Sequence, residues 1–262
     1  MRYGFCSVVL AAVLSLALGP CVAAQTSAPT KPAAVASARV AVAANFADVA
    51  KELAADYSKK SGHKISISSA STGKLYAQIR NGAPFDVLLS ADVATPQRLE
   101  DEGLADGTTH YDYARGRLVL WSRDPALVKN GEALLRHGAM SKLAIANPEL
   151  APYGAAARDV LEYVRRWNEL RPNLVMGENV GQATQFVVTG AAPLGLLPRS
   201  LVMHANKMRQ GSGWEVPASW HLPITQSAVL LERGKTNPAA RGFMQYLQSP
   251  AAKQKIRANG YD

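Results

Sequence analysis

Cysteine is scarce in this chain: of 262 residues only two are Cys, Cys6 and Cys21, and both stand near its start. A protein beginning near Gln25 has no thiol, which excludes a disulfide framework, a cysteine metal site and a thiol nucleophile. Long apolar runs are scarce as well. The one from Val8 to Leu18, broken only by Ser15, follows Arg2 and ends at Gly19 and Pro20. It is too short to cross a bilayer as a helix, which takes about 20 residues. With Val22, Ala23 and Ala24 behind it, it reads as a secretory signal peptide over residues 1–24. A lipid anchor on Cys21 is the weaker reading, because Pro20 precedes it. Residues 25–38 lack charge apart from Lys31 and are almost entirely Ala, Pro, Ser, Thr and Val, the composition of a disordered spacer.

Paired histidines are missing too. His63, His110, His137, His204 and His221 are far apart and form no metal-binding pattern. The net charge of +9 is spread along the chain without an interleaved basic and aromatic tract, so no nucleic-acid partner is expected. No repeat of solenoid or propeller period is visible. Nor does any segment assemble a nucleophile elbow; Gly211-Ser212-Gly213 has the wrong spacing.

What is present is an alternation. Apolar, β-branched runs at Val40–Ala44, Ile65–Ser69, Phe85–Leu89, Leu118–Trp121, Leu143–Ile145 and Leu174–Met176 are each followed by a helical period. This predicts an α/β protein with mostly parallel strands. Phe46, Val49, Leu53 and Tyr57 form the buried stripe of the first helix, which stops at Gly62. Helix starts are marked by Asn45, by Ser71 and Thr72, by Thr95 with Pro96, by Pro152, by Asn179, and by Asn237 with Pro238. Several follow a strand directly, and the carboxyl ends of strands in open α/β sheets are where ligands bind. About 225 residues remain after the leader and spacer, enough for two lobes of about 100 each.

Ser71-Thr72-Gly73-Lys74 is similar to the end of a phosphate loop. Ser68 stands where its first glycine belongs, however, and Leu75 where the magnesium-binding hydroxyl belongs. Nucleotide hydrolysis is not supported. What survives is a helix N-terminus with a glycine that lets amides approach an anion. Comparable junctions are Ala43-Ala44-Asn45-Phe46, Ala151-Pro152-Tyr153-Gly154 and Glu178-Asn179-Val180-Gly181-Gln182. Singly, each is a capped helix and nothing more.

Taken together and in order, these segments resemble the periplasmic molybdate-binding proteins of ABC importers. So do Asn81-Gly82-Ala83-Pro84-Phe85-Asp86 running into Leu89-Ser90-Ala91-Asp92, then Ala146-Asn147-Pro148-Glu149, then Ala192-Pro193-Leu194-Gly195. The likeness extends from about Val40 to Gly260-Tyr261. It implies a two-lobed type II periplasmic binding protein fold, each lobe a mostly parallel sheet flanked by helices. Residues 39–118 and 227–262 would form lobe one and residues 119–226 lobe two. Two hinge strands would cross between them, near Arg117–Ser122 and Pro223–Leu230. It further implies a non-enzymatic periplasmic monomer, without a cofactor, that delivers molybdate or tungstate to an inner-membrane ABC permease. The oxyanion contacts carried over are Ala44, Asn45, Thr72, Tyr153 and Val180, with Ser71, Gly73 and Asn179 behind them and no direct cation ligand. Many members of the family have Ser where Asn45 stands, and often Tyr where this chain has Pro198. That departure removes one hydroxyl donor.

A buried dianion needs fixed donors in place of its water, and helix N-termini supply them without a full countercharge. Thr72 and Asn45 are expected to add side-chain donors, the other contacts backbone amides. A set without a carboxylate disfavours phosphate, whose proton needs an acceptor. Sulfate or another small oxyanion on the same fold is one alternative. An enzyme on that fold and a sensor or adhesion module tethered through Cys21 are others.

Overall fold

In a computed structural model of the protein, residues 1–4, 35–204, 207–208 and 210–262 are described. Most of the expected signal peptide, both cysteines and most of the spacer lie outside the described residues. The expected spacer ends early: Ser37 and Ala38 already belong to the first strand, and Ala38 is buried there because it packs into the core.

The first part of the chain runs β1 (Ser37–Ala43), a 3-10 turn (Ala44–Phe46), α1 (Ala47–Ser61), β2 (Lys64–Ala70), α2 (Thr72–Arg80), β3 (Val87–Ser90), α3 (Ala94–Asp101) and β4 (Ala105–Gly116). The middle part runs β5 (Leu118–Ser122), α4 (Gly131–His137), β6 (Leu143–Ala146), α5 (Pro152–Tyr163), α6 (Trp167–Leu170), β7 (Leu174–Gly177), α7 (Val180–Val188), β8 (Leu194–Pro198) and α8 (Arg199–Val202). It continues through the short strands β9 (Met203–His204) and β10 (Lys207–Met208) to β11 (Ser212–Glu215). The last part is β12 (Ile224–Leu231), α9 (Pro238–Leu247) and α10 (Pro250–Ala258).

Two five-stranded sheets result, in the orders β2-β1-β3-β12-β4 and β11-β5-β8-β6-β7, each flanked by helices. They are mixed rather than mostly parallel. β1 pairs in parallel with β2 and β3, and β6 with β7 and β8, as crossover connections through a helix allow. The antiparallel pairs are β12 with β3 and β4, and β5 with β8 and β11. These strands enter or leave a sheet where the chain passes between lobes instead of completing a strand-helix-strand unit.

The register also moves the expected crossings. Leu118 already pairs with Pro198 in the second sheet, so the first crossing narrows to Arg117. Ile224, Thr225 and Gln226 pair with Gly116, Arg115 and Ala114 in the first sheet, so the return is complete by Ile224. The extended stretches expected to be hinges are sheet strands for nearly all their length, and the joints are the few residues before them.

The apolar stripe of α1 behaves as its spacing predicts: Phe46, Val49, Leu53 and Tyr57 are all buried against β1 and α9. Gly62 ends the helix with φ at 74°, a left-handed conformation favourable to glycine. In the second lobe, α5 lays Tyr153, Ala156, Ala157 and Val160 against β6 and β8. Gly154 lets its first turn sit directly on the end of β6, since a side-chain carbon there would strike the Ala146 carbonyl. Gly154→Ala is therefore expected to lower unfolding free energy by about 1–3 kcal/mol, the usual cost of overpacking. Urea denaturation followed by tryptophan fluorescence measures it.

Candidate functional site

Four junctions meet between the sheets. Ala44 and Asn45 come from the turn after β1, Ser71 and Thr72 from the start of α2, Tyr153 from α5, and Asn179 and Val180 from the start of α7. They enclose a cavity with about 190 Å³ of atom-free space, in which the centre of a water-sized sphere can wander through only about 10 Å³. An occupant there is held close to the wall. All five expected contact residues lie on this wall, as do Ser71 and Asn179, whereas Gly73 stands beside it.

The helix ends facing the cavity keep their first amides. An N-cap side chain normally accepts one of the unbonded first-turn N–H groups. Asn130, Asn237 and Ser249 do this for α4, α9 and α10. No side chain does so at the Ala44 turn, at α2 or at α5. In α5, Pro152 has no N–H and the Gly154 amide is spent on Ala151 at 2.8 Å, so Tyr153 offers the first open donor. At α7, Asn179 accepts from the Gln182 amide at 3.1 Å, which leaves the Val180 amide. Each helix end carries about half a positive charge, so four converging ends match a dianion in magnitude.

Side chains refine this picture. Thr72 Oγ1 accepts from the Ala91 amide at 3.3 Å, so its hydrogen is left for the cavity. Asn45 departs from expectation as a side-chain donor: its Nδ2 donates to Gln226 Oε1 at 2.7 Å and to the Tyr261 hydroxyl at 2.9 Å, which uses both hydrogens. Its carbonyl accepts from the Tyr261 hydroxyl at 2.8 Å and from Ser200 Oγ at 3.0 Å. What Asn45 presents to the cavity is its backbone amide, held by four bonds. Nor does the 3-10 turn make it the cap of α1, a position taken by Phe46.

The Tyr153 phenol turns away from the cavity and fills the space where Gly116, the last residue of β4, would carry a side chain. Burial pushes its pKa, and that of Tyr261, well above the ordinary phenol range, so both stay neutral. Among the described residues lining the cavity there is no Asp, Glu, Lys or Arg. Among the described residues no group of three His, Cys, Asp or Glu is placed to hold a metal ion. Pro198 is buried in β8, paired with Leu118, and does not line the cavity.

The lobes also grip each other directly at the rim. The Gly73 amide donates to the Leu150 carbonyl at 3.0 Å, and Lys74 Nζ meets Glu178 Oε2 at 2.6 Å. With the bond from Ser200 to Asn45, these contacts make this a closed arrangement. Gln226, Tyr261 and Ser200 escape a sequence reading because they lie 181, 216 and 155 positions from the residue they hold.

Comparison with known proteins bears on this architecture. The chain is 46% identical over 229 residues to the molybdate-binding protein ModA of Azotobacter vinelandii, covering 87% of this chain and 91% of that one. It is 42% identical to that of Rhodobacter capsulatus, covering 88% and 90%. A solved structure, the Azotobacter vinelandii periplasmic molybdate-binding protein, superposes with a TM-score of 0.82 at 38% identity, covering 86% of this chain and 98% of the other. Residues 38–262, which hold all but the first residue of both sheets, match the bacterial extracellular solute-binding proteins, and the chain belongs to that family.

Proposed function

We propose that the protein captures molybdate or tungstate between its two lobes outside the cytoplasm and presents it to a membrane permease of an ABC importer. The observation that carries this reading is the convergence of four uncapped or partly capped helix starts on one small cavity walled without charged side chains. Ala44, Asn45, Tyr153 and Val180 contribute backbone amides, and Thr72 an amide and a hydroxyl. The molybdate-binding names of relatives above 40% identity support it as well. Those relatives are binding proteins, so an enzyme on this fold is not favoured. A monomer exported by the leader fits a freely diffusing carrier. No helix of the described residues is long and apolar enough to cross a membrane.

The chemistry also orders the ligands. Molybdate, tungstate and sulfate are unprotonated dianions near neutral pH and need only donors. Phosphate carries a proton that needs an acceptor, and the wall offers no carboxylate.

Parallel calorimetric titrations with molybdate, tungstate, sulfate and phosphate test the assignment. Molybdate and tungstate are expected to bind tightest and phosphate not at all; binding of phosphate alone would refute it. Thr72→Ala removes a hydrogen bond to a charged group, worth about 1.5–3 kcal/mol, and is expected to weaken molybdate binding about ten- to a hundredfold in the same titration. Lys74→Glu sets like charges against each other across the rim and is expected to speed molybdate release about two- to fivefold, the range of an exposed pair. Stopped-flow displacement measures this, and adding Glu178→Lys to the same chain should restore the slow rate.

A further inference from the structure

Ser71 stands at the N-cap of α2 with extended backbone, φ −67° and ψ 151°, where a serine hydroxyl ordinarily accepts a first-turn amide. It caps nothing. The amide it would ordinarily take, that of Gly73, donates across the cleft to the Leu150 carbonyl at 3.0 Å. Ser71 is 2% exposed, and its Oγ has no hydrogen-bond partner within the protein although it belongs to the cavity wall. A buried hydroxyl normally has a partner. The other side chains sharpen the point. Both Asn45 hydrogens are committed to Gln226 and Tyr261, Ala44 has no polar side chain, and the Tyr153 phenol fills the space beside Gly116. Among the described lining residues, hydroxyl donors to an occupant reduce to Thr72 and Ser71.

We propose that Ser71 is a direct ligand of the bound oxyanion, donating its hydroxyl hydrogen to one of the oxygens, rather than a residue standing behind Thr72. The cross-cleft bond from Gly73 is what leaves the hydroxyl available: when the lobes meet, the helix amide goes to Leu150 and the serine side chain goes to the cargo. α2 then serves the ion three times, through the Thr72 amide and two adjacent hydroxyls, which makes it the principal grip of the first lobe. This inference rests on the oxyanion reading of the cavity.

The test is Ser71→Ala, titrated with sodium molybdate by calorimetry beside the unaltered protein, with the melting temperature of both proteins recorded in the absence of ligand. The variant is expected to bind about ten- to a hundredfold more weakly. Its ligand-free melting should stay cooperative, which shows that the variant is folded; a modest fall in melting temperature is the loss of the cap that Ser71 can give the Gly73 amide when the lobes part. Affinity within about twofold of the unaltered protein overturns the assignment. So does a Ser71→Thr variant, which keeps a hydroxyl at this position, that binds as weakly as Ser71→Ala. If the unaltered protein binds none of the oxyanions, the functional reading itself fails, a result distinguishable from a failure of Ser71 alone.

Discussion

A doubly charged ion taken out of water has to be resolvated by whatever surrounds it, and in the proposed site that duty falls on neutral peptide dipoles. Much of the architecture follows from this. Donors must come from several directions, so helices from both sheets aim their N-termini at one point. The Ala44 turn, α2 and α5 have no capping side chain, which leaves first-turn amides open toward the cavity. No full charge may sit on the wall, since a lysine or arginine would grip an anion too indiscriminately and a carboxylate would repel it. The described residues of the wall keep to that restriction.

An open helix end is a standing deficit of hydrogen bonds, and the fold compensates around it. Asn45 is fixed by bonds from three separate segments, so its amide points one way. Gly154 seats α5 on β6, and Gly116 yields its side-chain space to Tyr153. These supports are apolar packing and neutral hydrogen bonds, which salt and pH hardly disturb. Ion pairs lie away from the cavity wall, among them Lys74 with Glu178 at the rim and Arg199 with Asp262 at 2.8 Å and with Glu215 at 3.0 Å near the crossing.

Periodicity made much of this legible in the chain. The stripe Phe46, Val49, Leu53, Tyr57 and the cap Asn179 are local patterns, and local patterns survive folding. The junction residues lie together because strand ends in α/β sheets share an edge, a rule that needs only strand order. Two kinds of information were not local. The antiparallel half of each sheet depends on where the chain changes lobes, and β4 (Ala-Asp-Gly-Thr-Thr-His-Tyr-Asp-Tyr-Ala-Arg-Gly) is too polar and too half-exposed to announce a strand. The roles proposed for Asn45 and Ser71 turn on partners: Gln226 and Tyr261 consume one side chain, and Leu150 takes the amide that the other would cap. A residue type states what a side chain can do, whereas its neighbours decide what it is left to do.

Gln226 lies on β12, the strand by which the chain re-enters the first sheet after its excursion through the second. The Asn45 amide is therefore one side chain away from the strand that follows the return crossing. One glutamine thus ties the aim of an amide in the first junction to the placement of a strand laid down 181 positions later.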